Sequence, residues 1–297
     1  IPDSLLQECA GPFIKAGHHF TAYSKDTDPD VQIKRAKDAD VIMIANMPLT
    51  GEVISACPNL KYIDVAFTGV DHVDLEAAAK RGIRVSNAAE LTLCMMLSLL
   101  RNVPQVETRC REGKTKDGLV GSELKGKTVG IVGVGAIGMR TAELCAAFGC
   151  RILGYKRHLT GKEPAWIEYT SLEELLSRPD IVSLHCPLNE DSRHLINKAS
   201  IARMKKGAYL INAARGPVVD SEALAGALNS GWLSGAGIDV FETEPPLETS
   251  HPLLQSKNTI VTPHVAFASA ESMEARAKIV FANITKWMEG RQENVIL

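Results

Sequence analysis

The stretch from Thr128 to Arg157, TVGIVGVGAIGMRTAELCAAFGCRILGYKR, constrains the chain more than any other. An apolar, β-branched run (Val129, Ile131, Val132, Val134) passes through Gly133-Val-Gly135-Ala-Ile-Gly138 into a helical Met139 to Phe148, and then into a second strand, Ile152 to Tyr155. In a βαβ unit of this kind the first glycine makes the turn and the second lets a pyrophosphate approach the backbone. The third lets helix and strand pack closely. The phosphates sit on free N–H groups at the helix start. Glycine-rich turns are common, but here the flanks have the required type and length on both sides. They imply a dinucleotide held at Gly133, Gly135, Ala136, Ile137 and Gly138.

One position departs from the pattern. An acidic residue usually follows about twenty residues on and hydrogen-bonds a ribose 2′-hydroxyl. Here Lys156-Arg157 stands at the end of the second strand, and no acid lies between Glu143 and Glu163. A cationic pair suits a 2′-phosphate. NADP, or at least tolerance of it, is therefore expected over strict NAD.

With 297 residues the chain is long enough for two domains. Its net charge of −2 provides no electrostatic reason to expect a nucleic acid or an anionic membrane as partner. No apolar run approaches the length of a membrane span, and none reads as a secretory signal. The seven cysteines are scattered and form no CxxC pair. They read as reduced thiols of a cytoplasmic protein and not as a disulfide framework or zinc site.

Strands and helices alternate along the rest of the chain. Before Ala89 the pattern predicts helices Asp3 to Ala16, Asp30 to Lys37, Gly51 to Cys57 and Leu75 to Arg81. Strands are predicted at His19 to Tyr23, Val41 to Ala45, Tyr62 to Ala66 and Ile83 to Ser86. Such alternation argues for a parallel sheet with helices on both faces. A doubly wound sheet normally opens on a strand, yet this chain opens on a helix without an initiator Met. The strand Ile83 to Ser86 also runs almost directly into the next helix. Both features lead us to expect further residues before Ile1 and a short loop after Ala89.

One long helix is expected from Glu90 onward (ELTLCMMLSLLRNVPQVETRCREG), apolar nearly all round in its first half. Such a helix must be buried on several sides, so a role joining domains and packing in a homodimer interface is expected. After the glycine turn, further strands at Ile181 to Cys186, Ala208 to Asn212, Gly235 to Val240 and Thr259 to Val261 bring the sheet to about six. The last helix, Ala270 to Glu289, carries Met273, Ala277, Val280, Ile284 and Trp287 on one stripe. It is expected to return to the first domain. The fold class is α/β: two doubly wound parallel-sheet domains, with a Rossmann cofactor domain (90–267) inserted in a smaller, flavodoxin-like substrate domain (1–89 and 268–297).

In open α/β sheets ligands bind beyond the carboxyl ends of the strands. Arg215 follows one predicted strand, Asp239 closes another, Glu244 stands a few residues beyond it, and His264 follows the last. Each has an ordinary structural reading alone. Together, at one end of one sheet beside a glycine turn, they form a candidate site.

The segments NAARGPVVD, GIDVFETEPP and TPHVAFAS resemble the three signature segments of the D-2-hydroxyacid dehydrogenase family. VAFTGVDHVDLEAA and SELKGKTVGIVGVGAIG resemble further segments of it, so that the match runs along essentially the whole chain. The resemblance implies reversible hydride transfer between NAD(P)H and C2 of a 2-oxo acid. It implies that His264 is the acid and base, that Glu244 holds the His264 ring, and that Arg215 binds the substrate carboxylate and carbonyl. By the same resemblance Asp239 orients the nicotinamide carboxamide, and Cys186, Pro187, Ala213 and Ala214 line the cofactor. Backbone N–H groups at Thr68-Gly69-Val70 hold the substrate, and the expected gap after Ala89 falls where the family carries another segment lining the cleft.

His264 suits its role because an unperturbed imidazole titrates near working pH. A planar guanidinium suits Arg215 in a way lysine would not. His185, His194, His72 and His18-His19 have no matching partners and are expected to be structural or exposed, and no metal site is expected. A glyoxylate- or hydroxypyruvate-type reductase is the leading expectation. The alternatives are a phosphoglycerate dehydrogenase without a regulatory domain and a non-catalytic dinucleotide-sensing corepressor-like module.

Overall fold

A computed structural model describes residues 1–45, 47–66 and 91–292. The chain divides into two compact units, Ile1–Ala89 with Phe267–Leu297, and Glu90–Ala266.

In the smaller unit, helices α1 (Asp3–Lys15), α2 (Pro29–Ala36) and α3 (Gly51–Ala56) accompany two parallel strands, β1 (Val41–Ile44) and β2 (Tyr62–Val65). α2 and α3 start on side-chain caps, Asp28 and Thr50, which accept backbone N–H groups of the first turn. All four residues of β2 are buried, and its alternation sends them to two sides. Ile63 and Val65 join a core with Ile44, Leu49, Val53 and Ile54. Tyr62 and Asp64 meet the last helix, α10 (Ala270–Met288), where the Tyr62 ring stacks on Trp287 and Asn283 reaches Asp64.

The strand expected at His19 to Tyr23 does not form. That segment is a largely exposed connection without strand pairing among the described residues, anchored by Phe20 against Phe281 and by Arg35 over the Tyr23 ring. Its two aromatic residues, three positions apart, make separate ring contacts. The expected helix Leu75 to Arg81 and strand Ile83 to Ser86 lie outside the described residues, as does the position after Ala89.

The larger unit is built on seven parallel strands: β3 (Thr128–Val132), β4 (Arg151–Tyr155), β5 (Glu168–Tyr169), β6 (Ile181–Leu184), β7 (Tyr209–Asn212), β8 (Gly235–Ile238) and β9 (Thr259–Val261). Their spatial order is β5-β4-β3-β6-β7-β8-β9, a Rossmann order extended by one strand. The expectation of about six missed β5, which has only two residues, one of them exposed, and so no apolar run to betray it. Alternate residues of the central strands feed two cores. Val132, Val182, Leu184 and Leu210 pack on one face, and Val129, Ile131, Ile181 and Ile211 on the other.

The single long helix expected from Glu90 is two helices, α4 (Thr92–Leu100) and α5 (Val103–Arg111). Asn102 breaks it in the left-handed region, at φ 52°, and Pro104 follows in the first turn of α5. Asparagine tolerates that backbone and proline disfavours continuation of the preceding helix. Met95, Met96, Leu99 and Leu100 of α4 are buried in the unit's own core, and α5 buries nothing. No helix among the described residues is long and apolar enough to cross a membrane.

Candidate active site

The chain crosses over in opposite directions from β3 and β6, so a crevice opens beyond their carboxyl ends, where open α/β sheets bind ligands. Gly133 lies directly after β3 with φ 93°, and a Cβ there would come within 2.7 Å of the Cys186 nitrogen and the His185 carbonyl. A Cβ on Gly138 would fall 2.2 Å from the Gly133 oxygen. These two glycines are thus required by contact within the protein. Gly135 differs, because a Cβ there would meet nothing within 4 Å.

The helix that follows, α6 (Ala136–Ala147), begins at Gly135 with no side-chain cap on its first-turn N–H groups. A helix N-terminus of this kind attracts anions. The open face of Gly135, the exposed Ala136 and the half-buried Ile137 beside it therefore fit a pyrophosphate.

On the other lip of the crevice, burial pushes the Cys186 thiol up, so it stays protonated and is a poor nucleophile. The Pro187 carbonyl accepts from the Ser192 hydroxyl at 2.7 Å. His185 is bonded to the Ser183 hydroxyl at 2.9 Å, and burial pushes its pKa down to about 4, so the ring is neutral and satisfied within the fold.

Beyond β4, Lys156 Nζ lies 3.4 Å from Glu163 Oε1, and Arg157 pairs with Asp191 at 2.7 Å. Glu163 also accepts the Thr160 N–H, the Gly161 N–H and the Thr160 hydroxyl. These bonds, the Thr160 N–H foremost, hold its carboxyl down to about 2.

Three strand ends form the second half of the site, laddered by backbone bonds. The Asp239 N–H donates to the Asn212 carbonyl at 2.9 Å, and the His264 N–H donates to the Asp239 carbonyl at 2.8 Å. Arg215 follows β7 in the turn Asn212-Ala213-Ala214-Arg215. The Asn212 side chain pins this turn from both ends, accepting from the Ala214 N–H and donating to the Arg215 carbonyl. The Arg215 guanidinium donates to the Ala214 carbonyl at 2.6 Å.

His264 has φ 56°, a conformation that a non-glycine residue keeps only when its surroundings enforce it. Its side chain is only 9% exposed, and Nδ1 lies 2.8 Å from Glu244 Oε1. The Glu244 side chain reaches in from the solvent side, 53% exposed.

Asp239 directly follows β8. It is fully buried, and its carboxylate accepts the Val265 and Ala266 N–H groups and the Thr262 hydroxyl. Three donors from the loop that carries His264 converge on it, so it anchors that loop from beneath.

Two residues went unrecognised. Asn212 is the polar last residue of an apolar strand, which is a readable signal. Gly216 is less readable: a Cβ there would lie 1.8 Å from the Phe241 oxygen, so the Arg215 turn and the Glu244 loop touch backbone to backbone. Thr68, Gly69, Val70 and His72 lie outside the described residues. His18, His19 and His194 are exposed, and among the described residues no group of three or more His, Cys, Asp or Glu is placed to hold a metal.

Known proteins resemble this chain along most of its length. The glyoxylate reductase of Thermofilum pendens is 37% identical over 311 residues, which cover 97% of this chain and 88% of that protein. The hydroxypyruvate reductase of Blautia hydrogenotrophica is 34% identical, covering 91% of this chain and 88% of its own length. Among solved structures, the D-lactate dehydrogenase of Aquifex aeolicus complexed with NAD and lactic acid superposes with a TM-score of 0.85. It is 31% identical and covers 98% of this chain and 94% of that one. The model for the D-isomer specific 2-hydroxyacid dehydrogenase NAD binding domain matches residues 93–266, which hold the glycine turn, Arg215, Glu244 and His264. With that domain intact and such relatives along nearly its full length, the chain belongs to the D-isomer specific 2-hydroxyacid dehydrogenase family of oxidoreductases.

Proposed function

We propose that the protein reduces a small 2-oxo acid of the glyoxylate or hydroxypyruvate type, with Arg215, Glu244 and His264 as its catalytic residues. The observation that carries the assignment is the 2.8 Å contact between His264 Nδ1 and Glu244 Oε1 at the carboxyl edge of the sheet. A carboxylate only accepts, so Nδ1 carries the proton and Nε2 is left to act on substrate. When bound, the reduced nicotinamide supplies the hydride to C2 of the oxo acid. Negative charge then develops on the carbonyl oxygen, and the His264 imidazolium delivers the Nε2 proton there. Glu244 keeps the ring in this orientation and balances its charge. Arg215 takes the substrate carboxylate and carbonyl through its planar fork. In alcohol oxidation, neutral Nε2 takes the proton back.

Lys156 and Arg157 support NADP as the cofactor, with NAD as the alternative. Each base has an acidic partner here: the Arg157–Asp191 pair is exposed, and such pairs are worth only about 0–1 kcal/mol, while Lys156 stands at a long 3.4 Å from the half-buried Glu163. A 2′-phosphate carrying nearly two charges can therefore displace them. A homodimer is part of this reading, but α4 is consumed in its own unit. The exposed α5, with Val103 at its start and Val120 beyond it, is the surface that would meet a partner. The free cysteines suit a reducing, cytoplasmic setting.

The test is a reductase screen of glyoxylate, hydroxypyruvate, pyruvate, bulkier 2-oxo acids and 3-phosphohydroxypyruvate, each with NADH and NADPH, on wild type and His264→Ala. Loss of turnover by orders of magnitude with cofactor binding retained is expected for the variant. Near-normal turnover refutes the acid–base assignment, and a hundredfold preference for NADH defeats the 2′-phosphate reading.

A further inference from the structure

Glu244 is half exposed and sits on a connection between β8 and β9, so something other than its own burial must set its carboxylate against His264. The connection is held at its start. Phe241 is buried with its carbonyl against Gly216, and Glu242 is the next residue. Both are met by one side chain from the far end of the same connection, His251. Its ring stands edge-on to Phe241, with centroids 5.2 Å apart and planes at 85°. Its Nε2 lies 3.2 Å from Glu242 Oε2. Its Nδ1 accepts the Leu253 N–H at 3.3 Å, at the head of the short turn Pro252–Leu254, whose Leu253 is buried in the core.

A backbone N–H can only donate, so Nδ1 must present its lone pair. Nε2 therefore carries the hydrogen and donates it to Glu242. The ring is fixed in one tautomer and one orientation, and the Ser221 hydroxyl also bonds Glu242.

We propose that His251 is a positioning residue for the reaction. By bonding Glu242 it sets the segment that follows, so that Glu244 meets His264, and its ring packs on Phe241 at the start of that segment. The inference rests on the assignment of Glu244 and His264 made above. The segment has no regular structure of its own, so without this clasp Glu244 would sample positions that no longer hold the His264 ring. A displacement of about 1 Å can cost up to about a hundredfold in rate.

The experiment compares steady-state reduction of glyoxylate and hydroxypyruvate by wild type, His251→Phe, His251→Gln, Glu244→Gln and the double variant His251→Phe/Glu244→Gln. Phenylalanine keeps the ring contact and removes both nitrogen bonds, whereas glutamine restores an N–H donor toward Glu242. His251→Phe is expected to lower kcat by about ten- to a hundredfold while leaving the KM for the nicotinamide cofactor within about twofold. His251→Gln should recover most of the loss. The double variant should be no slower than Glu244→Gln alone, because a residue acting through Glu244 has nothing left to position. Should His251→Phe fail to fold, Glu242→Leu removes the same bond from the other side and is expected to show the same pattern.

Wild-type kcat in His251→Phe or Glu242→Leu, beside a slow Glu244→Gln, overturns the inference and leaves the proposed function standing. Losses that multiply in the double variant overturn it too. Full turnover in Glu244→Gln overturns the catalytic assignment and this inference together.

Discussion

Replacing Asp64 by asparagine should remove one source of pH dependence from the stability of the fold, by an amount the structure allows to be worked out. Asp64 lies fully buried on β2, facing α10. Asn283 Nδ2 donates to its Oδ1 at 3.3 Å, and its Oδ2 has no hydrogen-bond partner among the described residues. Burial pushes the carboxyl from its ordinary 3.8 up to about 7, with the Asn283 bond drawing it part of the way back. An acid whose folded pKa exceeds its unfolded one holds more protons in the folded state between the two values. Stability is then highest at the acid end of that window and falls as pH rises through it. Integrated from pH 5 to pH 8, the loss is roughly 2–3 kcal/mol.

An asparagine at this position has the same shape and never ionises. The advantage of Asp64→Asn over wild type should therefore widen by about 2–3 kcal/mol between pH 5 and pH 8. Urea unfolding followed by far-UV circular dichroism and tryptophan fluorescence at both pH values measures the difference. A gap between variant and wild type that is equal at pH 5 and pH 8 would refute the argument, since it would mean Asp64 does not change its protonation on folding.

Three further outcomes follow from the site. Gly135→Val should weaken dinucleotide binding without lowering the unfolding midpoint, because the new side chain enters open space. Gly138→Val should lower the midpoint, because its Cβ would start 2.2 Å from the Gly133 oxygen; cofactor titration and thermal unfolding on the same samples separate the two. Gly216→Ala must push the Arg215 turn off Phe241, where its Cβ would lie at 1.8 Å, so kcat and midpoint should fall together in parallel rate and melting measurements. Asp239→Asn turns an amide toward donors that need an acceptor, and should cost about 1–3 kcal/mol in denaturant unfolding along with much of the turnover.

The glycine turn, the alternation of strands and helices and the polar residues after the strands were all legible in order along the chain. Each follows from local chemistry: a period of two in the apolar residues, a glycine where backbone must come close, a polar residue where an apolar run ends. His19 to Tyr23 misled because an alternating pattern is necessary for a strand but does not supply a neighbour to pair with. The helix beyond Glu90 misled because its break is a single left-handed Asn102, which propensity alone does not announce. β5 has too few residues to leave a pattern at all.

Of the site itself, the sequence by itself determined which residues stand at the carboxyl ends of the strands and that a dinucleotide suits the turn between them. Only the tertiary structure decided which atoms face one another. It turned Asp239 inward beneath the His264 loop, brought Glu244 to Nδ1 of His264, and set Gly216 against Phe241 at the end of the neighbouring strand. The physical reason is that strand ends are specified by short-range pattern. The direction of a carboxylate or an imidazole is specified by donors and acceptors that arrive from distant segments, and one-dimensional spacing does not encode them.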